Sequence, residues 1–263
     1  MRIIEYQKPY ATKELEKIGN KPIIIALLLL VFCAVFIFIG IFSLVQLPQF
    51  LKFLEPVKKF FPNIAIFFLI VFLLFSILGG FEYLDSLIDK LDSLIKGEEG
   101  ENRVINFLKR HLSDKYIYIK NYYLPNIETG DIDGILIGPK GIILLEIKNY
   151  HGLFRVSGQE LYRKERGKMR YKLYYKNPIR QILEREIFLN ELLKDNNINI
   201  KTTPIVVFVN GKIENVQGLD NCFVIEYYKL VDFINKLTDI ENWNENLEKE
   251  ILDVLKIKNF NKS

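Results

Sequence analysis

The chain has 263 residues, enough for one or two domains with a proper core, and only two histidines and two cysteines. Those counts exclude a histidine-rich zinc centre and a disulfide framework, and they suit a reducing compartment. The net charge of +4 is mild, but 49% hydrophobic residues beside 26% charged ones, with a mean hydropathy of +0.10, means that the apolar residues must be concentrated somewhere.

They are concentrated near the start. Ile23 to Val45 carries no charge and is long enough to cross a bilayer as a helix of ~20 residues. A secretory signal would have a shorter apolar stretch, about 7–15 residues, ending in a small-residue cleavage site. Ile64 to Phe81 is likewise uncharged and reads as a second span rather than a buried soluble helix. Between the spans, Pro48, Pro56 and Pro62 alternate with Phe50, Phe53, Phe60 and Phe61, as in an interfacial loop. Residues 23–81 are therefore expected to form a two-helix transmembrane hairpin, with the lipid bilayer as a partner. Arg2, Lys8, Lys13, Lys17 and Lys21 before it outnumber Lys52, Lys58 and Lys59 in its loop. The excess of basic residues places residues 1–22, both termini and everything after residue 81 in the cytoplasm.

Residues 82–96 space Leu84, Leu87, Leu91 and Leu94 three and four apart, with Asp85, Asp89 and Asp92 on the other side. This predicts an amphipathic linker helix. It could pair with a second copy as a homodimer, or more blandly pack on the following domain or lie on the membrane. Gly97 is expected to end it. A second amphipathic helix over residues 98–112 buries Val104, Ile105, Leu108 and Leu112, with Glu101 at the head of that stripe. Glu101 reads either as a helix-dipole partner or as a carboxylate aimed at a site over a sheet.

A strand over 116–124 follows, then a hairpin: Ile132–Ile137 and Ile142–Ile147 flank the turn Gly138-Pro139-Lys140-Gly141. Both faces of this hairpin are apolar, so it should be buried on both sides. Yet Asp133 lies on one strand, and Glu146 and Lys148 share one face of the next. Carboxylates in such a place are costly unless paired or holding a metal. An Asp and a Glu on adjacent strands, with the Ile147 carbonyl as a further ligand, suit Mg²⁺, with Mn²⁺ as an alternative. Lys148 would then orient or help deprotonate a water, or steady charge at phosphorus, as phosphodiester hydrolysis requires. The plain alternative is a structural cluster at a strand end. Past a short strand at 152–157, residues 162–176 mix Arg163, Lys164, Arg166, Lys168, Arg170 and Lys172 with tyrosines. That composition suits a nucleic-acid contact, a solvated hairpin or an anionic lipid surface. A helix from Asn177-Pro178 to Leu193, a buried strand at 204–209, a strand at 223–225 and helices over 230–237 and 243–257 complete an α/β domain with a mixed sheet.

The run G-E-E-G-E at Gly97–Glu101, then D-I-D-G-I-L-I-G-P-K-G-I-I-L-L-E-I-K-N-Y-H-G, then N-P-I-R-Q, resembles the nuclease-related domain (NERD) family over roughly Gly97 to Ile200. The resemblance implies a restriction-endonuclease-like core, a mixed sheet flanked by helices, of the PD-(D/E)xK type. It implies Glu101, Asp133, Glu146 and Lys148 as the catalytic set, with Gln181 positioning a phosphate or water. No Pro precedes Asp133, a departure from the strict signature. The domain is expected at 97–210, with 211–263 as an α/β extension completing it. The expected function is a membrane-anchored, cytoplasm-facing, Mg²⁺-dependent nuclease acting on DNA or RNA. The rival readings are a catalytically silent module that binds nucleic acid or a protein partner, and a scaffold whose acid cluster is structural.

Overall fold

A computed structural model describes residues 1–6, 61–124 and 131–257, with side chains from residue 85 onward inside the long first helix. The chain forms two compact units, Met1–Thr12 with Leu94–Ser263, and Lys13–Ser93. The first expected span, 23–45, lies outside the described residues. The second, 64–81, lies on the backbone of α1 (Phe61–His111), where side chains are not described. Among the described residues no helix is long and apolar enough to cross a membrane.

The first unit is built on a six-stranded sheet. Its strands are β1 (Arg2–Glu5), β2 (Ile117–Tyr122), β3 (Ile132–Gly138), β4 (Gly141–Lys148), β8 (Thr202–Phe208) and β10 (Phe223–Glu226), side by side in that order. The hairpin strands β3 and β4 run antiparallel, while β8 lies parallel to β4 over Ile142↔Thr202 to Lys148↔Phe208. The mixed sheet is as the sequence predicts. A second sheet, in the order β7 (Tyr171–Leu173), β6 (Glu160–Lys164), β5 (Gly152–Ser157), β9 (Gly211–Gln217), was not anticipated.

Period-two alternation sets the layers. Ile135, Ile137, Ile142 and Leu144 pack with Ile179, Ile182 and Leu189 of α2 (Pro178–Asp195). Leu136, Ile143, Leu145 and Ile147 pack on the other face against Val104, Ile105 and Leu108 of α1. Each fully buried Ile or Leu contributes about 1.5–3 kcal/mol, so a strand buried on both faces is strongly anchored. The helix α2 starts where expected: the Asn177 side chain accepts from the Ile179 amide at 3.0 Å, and Pro178 opens the first turn.

Two local expectations fail. Gly97 does not break the helix, since α1 runs through it and Gly100 to His111. A helical Gly costs only about 1 kcal/mol, and Gly100 is needed for contact: a Cβ there would lie 2.8 Å from the Cβ of Asn149. The N-terminus, expected as a simple cytoplasmic segment, contributes β1, which pairs in parallel with β2 over Arg2↔Ile117 to Glu5↔Lys120. The 3₁₀ turn Tyr227–Lys229, α3 (Leu230–Lys236) and α4 (Glu245–Val254) close the unit.

Candidate functional site

The β3–β4 ladder starts at Gly138↔Gly141 and ends at Gly134↔Leu145. Two residues further, where Ile132 and Ile147 would pair, the Ile147 amide instead donates to Asp133 Oδ2 at 2.7 Å. The strands therefore part at the point where the sequence carries Asp133 and Glu146. A residue's N–H and C=O lie on the same edge of a strand, so the Ile147 carbonyl shares the edge that meets Asp133. On the other edge the Lys148 carbonyl accepts from the Val209 amide at 3.0 Å, continuing the pairing with β8.

Lys148 Nζ sits 2.5 Å from Glu146 Oε1 and 4.0 Å from Asp133 Oδ2. Arg185, on α2, pairs with Glu146 Oε2. Glu146 is only 1% exposed, so both its oxygens are held by cations in the interior. Burial, and then the Glu146 charge, push the Asp133 carboxyl up to about 8. For Lys148 burial opposes the charge, but Glu146 and Asp133 outweigh it and hold the ammonium protonated above its ordinary range. A lysine so held supplies positive charge to a neighbour and is a poor acceptor of a proton from water.

Glu101 approaches from α1. Its nearest cation is Lys120 at 3.7 Å, and Lys120 also donates to Asn102 Oδ1 at 3.2 Å. Burial raises the Glu101 carboxyl to about 7, with Lys120 acting in the opposite direction. Its charge is felt at Asp133, and the Lys148 charge helps to lower the Glu101 carboxyl, although α1 covers the opposite sheet face from α2. The sequence-predicted set is thus assembled around one end of β4, with Glu101 as its outlying member. Gln181 is exposed on α2 and makes no side-chain bond to the set. Arg185, one turn beyond it, is the α2 side chain that reaches Glu146. Its signal was in the sequence: Ile182, Arg185 and Leu189 fall three and four apart, which puts an arginine on a buried stripe.

The basic hairpin forms as β6 and β7, but its cations are largely spoken for. The Glu165 carboxylate takes Arg170 at 2.5 Å, Lys168 at 3.1 Å and Lys172 at 3.4 Å. The hydrogen bonds from Arg170 and Lys168 hold that carboxyl down at about 2. Arg163 donates to the His151 carbonyl at 2.9 Å, Lys164 is half-buried, and Arg166 is exposed.

The donor types here are those a divalent ion takes, although both Glu146 oxygens are paired with Lys148 and Arg185. Asp133 and Glu146 supply hard carboxylate oxygens and Ile147 a carbonyl, which suits Mg²⁺, since it uses one or two carboxylates and keeps several waters. No cluster of three or more His, Cys, Asp or Glu side chains occurs among the described residues, so a closed all-protein cage is not what they build.

Residues 96–209 match the family model of the nuclease-related domain (NERD), under half of the chain. No curated protein and no solved structure matches. The matched stretch contains α1 from Lys96, the β3–β4 hairpin and α2, and with them Glu101, Asp133, Glu146, Lys148, Gln181 and Arg185.

Proposed function

We propose that the chain is a membrane-anchored, cytoplasm-facing, Mg²⁺-dependent nuclease that hydrolyses phosphodiester bonds of DNA or RNA, with Mn²⁺ able to substitute. One observation carries the reading: Asp133 and Glu146 meet where β3 and β4 stop pairing, with Lys148 between them. A bound divalent ion would supply Lewis-acid stabilisation of the phosphoryl group. Asp133, Glu146 and the Ile147 carbonyl would hold it. Lys148, fixed as a cation, offsets charge that develops at phosphorus and orients a water through its N–H donors. Glu101 and Lys120 border the set from α1.

The anchor is supported by the two uncharged stretches, 23–45 and 64–81, and by one feature of the sheet. Since β1 pairs with β2, the chain on either side of Lys13–Ser93 returns to one compact unit. A segment leaving and rejoining the same side of a bilayer crosses it an even number of times, which agrees with two spans. Ile88 and Ile95 are exposed one heptad apart, which supports pairing of 82–96 in a homodimer.

A second reading has its own observation. Both Glu146 oxygens are engaged by Lys148 and Arg185, which favours a catalytically silent module binding nucleic acid or a protein partner. Cleavage decides between them. The full chain in neutral micelles, given single- and double-stranded DNA and RNA with Mg²⁺, Mn²⁺ or chelator, should cut only with metal. Asp133→Asn and Lys148→Met should each abolish the cutting. A folded wild type that binds nucleic acid and cuts none of these substrates would leave the silent module.

A further inference from the structure

The basic hairpin is the obvious place to seek a nucleic-acid contact, yet Glu165 already takes three of its cations. A different surface has the better chemistry. A groove of about 470 Å³ lies along α1, lined by Asn102, Arg103, Asn106, Phe107, Arg110 and, from the 3₁₀ turn, Tyr227. Arg103 lies over the Tyr227 ring, 4.8 Å from its centroid, and donates to Tyr227 Oη and to Asn210 Oδ1, each at 3.2 Å. Two of its contacts thus fix the guanidinium plane, while the rest of its five-donor fork stays exposed. Phe107 meets Tyr227 edge-on at 5.5 Å. Arg110 stands two helical turns from Arg103, about 10 Å along α1, so the two guanidinium groups can reach different phosphates of one strand.

The groove is joined to the carboxylate site at both borders. Asn102 and Arg103 directly follow Glu101, and Asn102 shares Lys120 with it. Asn210, which holds Arg103, donates to Asn149, the residue after Lys148, and Asn149 in turn donates to the Lys96 carbonyl at 2.7 Å. Arginine planes and aromatic rings side by side suit bases that are already unstacked, and a duplex does not offer those. Glu99 is the one acid in the lining, and it marks the end of the groove where a phosphate is disfavoured.

We propose that this groove binds single-stranded nucleic acid and leads one strand across the sheet edge to Asp133 and Glu146, with Arg103 and Arg110 on its phosphates and Phe107 and Tyr227 beside its bases. The assignment rests on the nuclease reading for its purpose, but its test does not. The full chain in neutral micelles with excess chelator is titrated into a fluorescently labelled single-stranded oligonucleotide, as DNA and as RNA, over a salt series. Arg103→Gln/Arg110→Gln should weaken binding at least tenfold and make the salt dependence shallower by about 1.4, two contacts at ~0.7 each. Tyr227→Phe, which loses only the hydroxyl that steadies Arg103, should weaken it a few-fold. Mn²⁺ binding and the circular dichroism of the variants should match wild type. Unchanged affinity and salt slope in the double arginine variant would overturn the proposal. So would a loss seen only in Lys168→Gln/Lys172→Gln, or a double-variant defect confined to anionic vesicles. Wild type that binds through the groove but cuts nothing would sink the nuclease reading and leave the groove standing. Cutting that persists in a groove variant with wild-type binding would do the reverse.

Discussion

The Ile147 amide donates to the Asp133 carboxylate at 2.7 Å, two residues beyond the last pair of the β3–β4 ladder. A side chain here completes the backbone bonding of a strand end, so Asp133 has a structural duty beside the chemical one we propose for it. The two separate by substitution. Asp133→Asn keeps an oxygen acceptor for the amide and removes a buried group that is costly to ionise, so its thermal midpoint should match or exceed that of wild type while activity is lost. Asp133→Ala strands the amide and should cost about 1–3 kcal/mol in chemical denaturation. Equal stability of the two variants would show that the hydrogen bond does not matter to the fold.

Arg185 and Glu146 form a buried ion pair, and removing one partner leaves a charge in the interior. Arg185→Met should destabilise by about 3 kcal/mol, the lower part of the range for broken buried pairs, because Lys148 still holds Glu146. Adding Glu146→Gln should restore part of that loss. A double-mutant cycle by urea denaturation measures the coupling, and additive losses would mean that the pair is not energetically linked.

Glu101 gives a pH signature. Its carboxyl is raised from an ordinary 4.5 to about 7 by burial, so the folded chain holds this proton more tightly than the unfolded one. The stability that follows is complete below pH 4.5 and is lost as pH rises through about 7. Glu101→Gln removes this dependence. Between pH 5 and 8, without metal, the variant should therefore gain about 1–3 kcal/mol relative to wild type, read from denaturation midpoints across pH. A constant difference would place Glu101 in a less buried setting.

Gly134 is tied to Tyr118 by contact. A Cβ at Gly134 would stand 2.0 Å from the Tyr118 hydroxyl, and that ring is fully buried. Gly134→Ala should destabilise by about 1–3 kcal/mol or more. Tyr118→Leu, which removes the ring whose hydroxyl oxygen, Cζ and Cε2 all crowd that Cβ, along with the 3.4 Å contact to the Asp133 carbonyl, should recover part of this loss. No recovery would locate the strain elsewhere.

How much of this could be read from the chain alone depends on the range of the interactions. The hairpin was legible because two apolar runs and a Gly-Pro-Lys-Gly turn are local signals, and β4 is buried along its length as its two apolar faces require. The meeting of Asp133, Glu146 and Lys148 followed from register, since strand parity puts them on one face. The second sheet was not legible: β9 pairs with β5 across more than fifty residues, and its exposed, weakly alternating side chains carry little pattern. β1 has only four residues, and its partner lies beyond the whole N-terminal apolar region. Gly97 misled because a glycine's local preference was outweighed by the helix continuing on both sides. Arg185 could have been found by asking why an arginine sits between Ile182 and Leu189. The Arg103–Tyr227 contact could not, because no pattern joins residues so far apart in sequence.

The central claim is that Asp133 and Glu146 hold one divalent ion at the split between β3 and β4. Electron paramagnetic resonance of Mn²⁺ titrated into the full chain, beside Asp133→Asn and Glu146→Gln, tests it most directly. The account predicts a bound Mn²⁺ population in wild type that Mg²⁺ displaces and that both variants lose while staying folded. Equal Mn²⁺ binding in wild type and both variants, or none in a folded wild type, would contradict it.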